Sequence, residues 1–564
     1  MNPAQLLAHF ERISEAPDAV ARLRRFILDL AVRGKLVEQD PEEEPAAELL
    51  KRIQVGKTKK APSHAPIVPS GLLFELPPGW AFARFGDVYS LEYGDNLPAE
   101  KRTNTGEYPV YGSNGVVGSH FECFVNSPCI VVGRKGSAGA LNLSQTNGCC
   151  VTDVAYYCTP PSGLDMAFSF KLFHTLGLDA LGKGVKPGLS RSEAYLLPIA
   201  IPPLAEQHRI VAKVDELMAL CDQLEAAKNE REARRDRLVA ASLHRINHSP
   251  RPQAGEGPGE REASAVPLSQ AARFHLNHLP RLTTRPEHIK QLRQTLLNLA
   301  VRGRLVPQDP NNEPSAELLK RIQAEKLLLV KEGLIPPSKA SAGVARLTFE
   351  LPSYWQAIRL DDMCNFVTSG SRGWAEYYAD SGPKFVRAQN IRFGRLRLDD
   401  LACVKPPARS EGKRTQVSKG DLLIVITGAG VTNPALMDRD LGEAYVSQHV
   451  ALIKPASTAL SRWLLLCLMS GPGGRDELFE CAYGAGKPGL NLDNIRTLNM
   501  PLPPLPEQHR IVAKVDELMA LCDQLEAQLT ATQTDSRRLL EAVLRDALDG
   551  LLTETIRSRI KVER

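Results

Sequence analysis

The 564-residue sequence lacks any run of about 18 apolar residues, the length that a membrane-spanning helix requires. Its first residues, MNPAQLLAHFERISE, carry acids early and offer no small-residue cleavage site, so we expect neither export nor a membrane span. The eleven cysteines form no CxxC pair. This argues against a zinc site or a disulfide framework and favours reduced thiols in a cytoplasmic protein.

Motifs of the common catalytic sites are also missing from the sequence. VGKTKK lacks the upstream glycine of a Walker loop, and there is no HExxH, no GxSxG and no strand-GxGxxG-helix unit. The Asn-Pro-Pro-aromatic motif of amino-methyltransferases is absent, and the acidic residues of CVTDVAYY and MDRDLGE are not spaced as a pair. We therefore expect no catalytic site, no metal and no cofactor in this chain. The formal charge of +5 permits a nucleic-acid partner without demonstrating one.

The sequence does contain an internal repeat. EQHRIVAKVDELMALCDQLEA, from Glu206 to Ala226, returns letter for letter from Glu507 to Ala527. LRRFILDLAVRGKLVEQDPEEEPAAELLKRIQ, from Leu23, returns in similar form from Leu292, FELPPGW returns as FELPSYW, and KPGL occurs twice. The segments between these repeats share almost nothing. Because packing alone does not require identical surface residues, we expect a function for the repeat; gene conversion without function is the alternative.

This pattern divides the chain into seven segments. They are residues 1–72, an N-terminal helical repeat; 73–201, a first variable globule; 202–247, a central long helix; 248–268, a Pro/Gly/Glu-rich linker; 269–347, a second helical repeat; 348–502, a second variable globule; and 503–564, a distal long helix with a tail. The globules mix short β-rich runs with helical segments. We therefore expect an α+β fold with a pseudo-two-fold internal repeat.

The two long helices carry apolar residues at the 4-3-4-3 spacing of a coiled coil. The positions are Ile210, Val214, Leu217, Cys221 and Leu224 in the first helix, and Ile511, Val515, Leu518, Cys522 and Leu525 in the second. Two identical seams can bury each other, which predicts an antiparallel pair with one globule at each end. In the alternative, each helix packs only on its own globule. Pro250 should end the first helix.

Each helical repeat is predicted to contain two helices. Gly34 and Gly303 stand where a first helix would stop, and Pro45 and Pro314 where a second would start. The acidic connector between them is longer than the turn of a DNA-binding helix-turn-helix. We therefore expect this unit to pack within the protein or to bind a partner.

The first globule offers candidate nucleic-acid contacts on Gly-rich loops. YGSNG would present Tyr111, Ser113 and Asn114, and GRKGSAG places Arg134 and Lys135 where a backbone could approach phosphates. Each stretch could equally be a simple turn.

The second globule mixes base-reading side chains with phosphate-type charges. The candidates are Arg387, Gln389, Asn390 and Arg392, with Thr427 of TGAG and Gln448 and His449 of SQH on loops near the same surface. A polar stripe of this kind could also be the solvated face of a sheet. Lys186 and Lys487 of the two KPGL segments complete the candidate set.

Together these stretches resemble the specificity subunit of type I restriction–modification systems. The resemblance covers nearly the whole chain and is carried by LAVRGKLVEQDP, YPVYGSNGVVG, GRKGSAG, GDLLIVITGAG, AYVSQHVALIKP and both EQHRIVAKVDELM blocks. It implies two target recognition domains joined by two antiparallel helices, each domain reading half of a bipartite DNA target. It also implies double-stranded DNA, two methyltransferase subunits and restriction subunits as partners. S-adenosylmethionine would be held by the methyltransferase partner, and ATP with Mg²⁺ by the restriction partner.

Two other functions stay open from the residues alone. One is a self-contained DNA methyltransferase or nuclease with unfamiliar motifs, and the other is a coiled-coil scaffold that binds only proteins. The sequence does not give the target bases, the spacer length or the role of the helical repeats.

Overall fold

The computed structural model describes residues 15–56, 75–103, 105–182, 188–248, 269–337, 344–370, 372–406, 412–483 and 488–562. The chain forms two compact units. The first contains residues 1–231 and 532–564, and the second contains residues 232–531. Both boundaries fall inside a long helix, so each long helix supplies its N-terminal part to one unit and its C-terminal part to the other.

The first half of the chain contains two helices, a globule and a long helix. In chain order the elements are α1 (Ala19–Val32), α2 (Ala46–Gly56), β1 (Ala81–Arg84), α3 (Phe85–Val88), β2 (Glu92–Tyr93), β3 (Tyr108–Gly112), β4 (Gly115–His120), β5 (Cys129–Gly133), β6 (Leu141–Ser144), β7 (Cys150–Val151), β8 (Ala155–Cys158), α4 (Met166–Phe173), α5 (Arg191–Tyr195), β9 (Pro198–Ile201) and α6 (Leu204–His248).

The second half repeats this order with an additional pair of short helices at its start. Its elements are α7 (Gln270–Asn277), α8 (Leu279–Leu282), α9 (Pro286–Val301), α10 (Ser315–Lys331), β10 (Gln356–Arg359), β11 (Cys364–Ser369), β12 (Tyr378–Val386), β13 (Ile391–Arg392), β14 (Arg395–Leu396), β15 (Ala402–Val404), α11 (Gly412–Thr415), β16 (Leu422–Val425), β17 (Pro434–Leu436), β18 (Ala444–Val446), β19 (Val450–Pro455), α12 (Ser461–Met469), α13 (Asp476–Tyr483), α14 (Leu492–Arg496), β20 (Asn499–Leu502) and α15 (Leu505–Val562).

The two globules have the same sheet topology although their sequences differ. The first has a four-stranded sheet in the order β2-β8-β5-β6 and a three-stranded sheet in the order β4-β3-β7. The second has β11-β19-β16-β17 and β15-β12-β18, which is the same arrangement, and it adds the two-stranded sheet β13-β14. In each globule one strand pair closes the domain, β1 with β9 and β10 with β20, and both pairs are antiparallel. The mixed α+β class is therefore confirmed, and so is the internal repeat.

The predicted boundaries inside the helical repeats are also confirmed. Gly34 and Gly303 follow the first helix of each repeat with φ of 65° and 62°, a left-handed conformation that glycine adopts without strain. A Cβ on Gly34 would lie 2.3 Å from the Cγ of Pro77. On Gly303 it would lie 2.7 Å from the Cγ of Pro352. Both positions therefore also require glycine for close packing against the start of a globule.

Each helical repeat clamps the start of its own long helix through a buried carboxylate. Glu206, 1% exposed, accepts a hydrogen bond from the Trp80 indole at 2.9 Å and another from the Gln39 amide at 3.0 Å. In the second unit Glu507 accepts from Trp355 at 3.1 Å and from Gln308 at 2.5 Å. Part of the letter-for-letter identity therefore preserves an internal contact and not a surface.

Each repeat also contacts the C-terminal part of the other half's long helix, within one unit. In the first unit, as residue numbers rise along the repeat, the residues that it contacts fall in number along α6 and rise in number along α15. The pairs are Glu15–Arg231, Ala16–Lys228 and Arg24–Asp222 with α6, and Asp18–Arg537, Arg22–Glu541 and Lys35–Leu548 with α15. The two long-helix segments in this unit therefore run antiparallel, as predicted.

The second unit has the same arrangement with the helices exchanged. Its repeat meets α6 at Asp236 near Arg285 and at Asn247 near Arg302. It meets α15 in the reverse direction, with the pairs Arg293–Glu526 and Gln308–Glu507. The two segments here also run in opposite directions.

The seam residues have a different partner from the one that the heptad spacing favoured. Ile210, Val214 and Cys221 are buried in one cluster with the helical repeat and globule of their own half, and Leu217 and Leu224 pack against it. Ile511 and Val515 lie in the corresponding cluster of the second unit. The 4-3-4-3 pattern is real, but the apolar face that it describes is buried by α1, α2 and the globule, or their counterparts, which sequence spacing cannot distinguish from a second long helix.

Candidate nucleic-acid interface

In the first globule three loops meet where the two sheets come together. The turn after β7 is tied to the end of β3, because Thr152 N donates to Tyr111 O at 3.0 Å. The loop after β5 is tied to the same turn, since Arg134 N donates to Val154 O at 2.9 Å. A Cβ on Gly133 would lie 2.4 Å from Ser113 O, so the YGSNG and GRKGSAG loops are in direct contact. The sequence placed both loops in the candidate site, and the structure brings them together.

The basic residues of this region surround an exposed tyrosine. The guanidinium of Arg134 lies 4.9 Å from the Tyr93 ring centroid, and that of Arg191 lies 4.9 Å from the same centroid. Tyr93 is 50% exposed. Arg134 is held by a 2.6 Å hydrogen bond to Asp153 O, and Lys135 beside it is exposed. Two fixed cations and one exposed cation on a rim of this kind suit contacts with phosphates.

In the second globule the equivalent loops hold a hydroxyl, an amide and an imidazole side chain. Thr427 Oγ1 lies 2.5 Å from His449 Nδ1, and Gln448 Nε2 lies 3.1 Å from His449 Nε2. All three residues are exposed. Amide, hydroxyl and imidazole groups can both donate and accept hydrogen bonds, which is the chemistry that reads base edges.

The two sets of loops share one backbone frame. Ile426 N donates to His449 O at 3.0 Å, as Arg134 N does to Val154 O. Ser447 N donates to Val386 O at 2.9 Å, as Thr152 N does to Tyr111 O. Isolated bridges join Lys135 to Gly188 and Thr427 to Gly489, the two KPGL glycines.

This frame defines pairs of equivalent positions that carry different side chains. The pairs are Lys135 with Thr427, Asp153 with Gln448, and Val154 with His449. The globules therefore keep the same loop positions and change the chemistry displayed there.

Two candidate residues lie inside the protein and not on a loop surface. Tyr111 belongs to β3, is 8% exposed and packs with Val131 and Val151, because β3 is paired on both sides and both faces are covered. Asn390 is 1% exposed and donates to the carbonyls of Arg397 and Asp400. Its amide thus shapes the loop, so the expectation that these two side chains are presented outwards is wrong.

The remaining candidates of the second globule lie close to Asp400 or in the hairpin before it. Arg387 donates to Asp400 O at 3.1 Å, and Gln389 donates to the Asp400 carboxylate at 3.2 Å. Arg392 is exposed in the short β13–β14 hairpin. Ser113 and Asn114 of the first globule occupy the β3–β4 turn, half-buried and exposed respectively. Lys186 and Lys487 lie outside the described residues.

Some residues are brought to these sites only by tertiary contacts, so no sequence motif predicts them. Tyr93 and Arg191 are separated by almost a hundred positions, and no local motif links them. In the second globule Arg475 lies 4.3 Å from the Phe393 centroid and 4.7 Å from the Phe479 centroid, and it was not singled out either. An Arg-Tyr or Arg-Phe stack carries no sequence spacing of its own.

A second candidate surface runs along the repeated long helices. Ala212, Glu216, Leu220 and Gln223 are exposed on one side of α6 at helical spacing, and Leu220 is 52% exposed. The same letters are exposed on α15, where Leu521 is 47% exposed. These identical residues are outside the Glu206 and Glu507 clamps. The duplicated sequence therefore also preserves an exposed stripe in each half.

The described residues contain neither a candidate membrane span nor a candidate metal site. No helix there is long and apolar enough to cross a membrane. No group of three or more His, Cys, Asp or Glu side chains in the same ranges is placed to hold a metal ion.

Known proteins resemble this chain along most of its length. The family profile described as "Type I restriction modification DNA specificity domain" matches residues 77–231 and 352–532, which are the two globules with the starts of their long helices. The specificity subunit of the type I restriction enzyme EcoAI from Escherichia coli is 29% identical, covering 94% of each chain. That of EcoEI, also from Escherichia coli, is 29% identical with the same coverage.

Solved structures of such subunits align with the chain at low scores. The S subunit from M. genitalium has 14% identity and a TM-score of 0.28, covering 82% of this chain and 95% of that one. The HsdS subunit from Thermoanaerobacter tengcongensis has 17% identity and a TM-score of 0.36, covering 84% and 98%. The profile matches in both halves, together with the curated relatives, decide the family. The chain belongs to the type I restriction–modification DNA specificity family, and it is the DNA-recognition subunit of such a system.

Proposed function

We propose that the two globules each read one half of a bipartite, asymmetric DNA sequence. The observation that carries this proposal is the shared loop frame with unlike side chains. A common frame lets both globules approach a groove in the same way, and different side chains at equivalent positions select different bases. The first globule offers Lys135 and the second offers Thr427 at the same backbone position, so the two half-sites should differ.

The antiparallel long helices would set the distance between the half-sites. A helix rises about 1.5 Å per residue, so the 45 residues of α6 span on the order of 67 Å. Half-sites approached from one side of DNA repeat about every 34 Å, one helical turn. A rod of this length is sufficient to hold two globules over neighbouring turns of one duplex.

The exposed stripe of each long helix would dock a methyltransferase subunit, giving two such subunits in the complex. Two copies of one partner require the same docking surface twice, which explains identical letters at Ala212, Glu216, Leu220 and Gln223 and their counterparts. The exposed Leu220 and Leu521 provide an apolar centre of the kind that protein interfaces bury. Restriction subunits would join through this complex.

The chemistry of the complex would reside in the partners. S-adenosylmethionine would bind the methyltransferase subunits and supply the methyl group for adenine, and ATP with Mg²⁺ would serve the restriction subunits. The complex would act in the cytoplasm, where the host DNA lies. This chain contributes recognition, spacing and docking.

Paired substitutions test the assignment of the half-sites. The full chain, co-produced with its methyltransferase partner, should methylate adenine in one split sequence, which modified-base sequencing of host DNA reports. Thr427→Ala should relax one half-site only, and Lys135→Ala at the equivalent position should affect only the other. Replacing residues 348–502 with a globule of another relative should change one half-site completely. A change in both half-sites after any one of these alterations would contradict the proposal.

Lengthening α6 tests the role of the helices as a spacer. An insertion of four residues after Ala226 adds about one helical turn and rotates the following apolar face by only about 40°. The unread gap between the half-sites should change, and the bases read should stay the same. An unchanged gap would show that the helices do not set the spacing.

A further inference from the structure

One contact between each helical repeat and its own long helix is the same in both halves. Arg24 bridges Asp222 at 2.5 Å and Glu225 at 2.8 Å. The equivalent Arg293 bridges Asp523 at 2.5 Å and Glu526 at 2.7 Å. Together with the Glu206 and Glu507 clamps, these contacts are duplicated in the two halves, whereas the first half also pairs Lys228 with Ala16 O and Arg231 with Glu15.

The contact between each repeat and the other half's long helix, here called the crossed interface, occupies the same place in both units. Lys35 Nζ donates to Leu548 O at 3.0 Å in the first unit. Arg304 Nη1, at the equivalent position, donates to Asn247 O at 3.3 Å in the second. Leu548 and Asn247 are equivalent in the two long helices, each 41 residues after its buried clamp glutamate. The backbone placement is therefore shared.

The long-helix charge of the two crossed interfaces is opposite in sign at equivalent positions, although Asp18 of the first repeat and its equivalent Glu287 are both acidic. In the first unit the long helix contributes Arg537, which lies 3.6 Å from Asp18 of the repeat. In the second unit the equivalent helix residue is Asp236, which pairs with Arg285 and lies 2.8 Å from the buried His288. The basic partner is on the helix in one unit and on the repeat in the other.

The side-chain sizes are also complementary within each unit only. In the first unit Ala16 and Ala19 leave room for Leu540 and Val543. In the second unit the equivalents of the two alanines are the larger Arg285 and His288. The equivalents of Leu540 and Val543 are the smaller Val239, which packs with Leu282, and the polar Ser242, whose hydroxyl lies 2.8 Å from His275 Nδ1. The larger side chains are therefore on the long helix in the first unit and on the repeat in the second.

We propose that each crossed interface selects its partner. The repeat of one half accepts, at this interface, only the C-terminal part of the long helix from the other half, so two first halves or two second halves do not pair. If two first halves paired, Asp18 would face Asp236 while the alanines left space beside Ser242. If two second halves paired, Arg285 would lie near Arg537, although Glu287 is also close, and Arg285 and His288 would crowd the larger Leu540. Like charges and mismatched volumes both disfavour these pairings.

The letter-for-letter sequence repeat ends before the crossed interfaces. Identity stops at Ala226 and Ala527, whereas the crossed interfaces involve Asp236 and Arg537 and residues after them. Between these positions Lys228 and Arg231 still contact the repeat of their own half. The crossed interfaces therefore lie in the part of the long helices where the letter-for-letter identity no longer holds. The proposal rests on these contacts alone and is independent of the DNA target.

Cleavage of the linker in the folded full chain tests this selection. A protease site is placed within residues 249–268, the purified chain is cleaved, and unlabelled and ¹⁵N-labelled samples are mixed and incubated. Native mass spectrometry then resolves first–first, second–second and first–second pairs, because the two halves differ in mass. Mixed-label pairs show that the halves have exchanged partners.

A variant that copies the first crossed interface into the second serves as the comparison. It carries Asp236→Arg, Val239→Leu, Ser242→Val, Arg285→Ala, Glu287→Asp and His288→Ala. Arg237→Asp, at an exposed position next to Asp236, is the matched control for an altered charge on α6.

The natural sequence and the Arg237 control should give first–second pairs in at least about tenfold excess over same-half pairs, equivalent to one tenfold step in the pairing constant. The copied-interface variant should give same-half pairs approaching the proportions of random pairing. Random pairing in the natural sequence, or first–second pairs alone in the copied-interface variant, would overturn the proposal.

Discussion

Replacing Glu206 with alanine should destabilise the packing of the first helical repeat on the start of α6. The Trp80 ring is 8% exposed, so its N–H would lose its acceptor at 2.9 Å without water to replace it. A hydrogen bond to a charged group contributes about 1.5–3 kcal/mol. Gln39 keeps the carbonyls of Gly34 and Val37, and removal of the buried carboxylate also removes its desolvation cost. The loss of stability should therefore be about 2 kcal/mol.

Hydrogen exchange followed by mass spectrometry measures this loss locally. A loss of about 2 kcal/mol corresponds to roughly 30-fold faster exchange through local opening in peptides from α2 and the Trp80 region. Glu507→Ala is the matched control, because it removes the equivalent clamp in the second unit and should leave the first unit unchanged. Less than about threefold acceleration, or equal acceleration in both units after either substitution, would refute the clamp as a local, duplicated contact.

Three further outcomes follow from the same structure. Gly94→Ala should destabilise the first globule, because the added Cβ would lie 2.3 Å from Thr152 O. Gly188→Ala should be tolerated, because the nearest atom to its Cβ would be 3.9 Å away, and thermal melting compares the two variants. Burial raises the pKa of Glu206, so the folded state holds the carboxyl proton more tightly than the unfolded state. The free energy of unfolding should therefore fall as pH rises from the ordinary carboxyl pKa through the raised one, and Glu206→Gln should remove this pH dependence in urea titrations. Arg191→Ala should weaken DNA binding by the complex and reduce the salt slope of log K by about 1 if this residue neutralises a phosphate.

The parts of the fold that could be predicted from the sequence are those that both halves encode with the same local signals. The helix ends at Gly34 and Gly303, the long helices and the internal repeat all leave local signals, because caps, turns and apolar periodicity are set within a few residues. The common topology of the globules left no such signal. Strand pairing depends on contacts between distant residues, and many different side chains satisfy the same ladder.

The candidate site shows the same division. Glycine-rich turns in the sequence predict that Ser113 and Thr427 lie on loops. They do not predict the direction in which a side chain points. Tyr111 and Asn390 are of residue types that read bases, yet one fills a core and the other caps a loop. The prediction that the 4-3-4-3 faces of the two long helices bury each other was wrong for a related reason. Apolar periodicity indicates that a helix face is buried, but it does not indicate which element covers it.

The most direct test of the account is the methylation pattern of the complex before and after one exchange of a globule. The full chain is co-produced with its methyltransferase partner, and modified adenines are mapped in host DNA, first with the natural chain and then with residues 348–502 replaced. We expect a split, asymmetric target in which one half changes and the other half and the gap stay the same. A continuous target, or a change in both halves, would contradict the claim that one scaffold presents two independent reading surfaces.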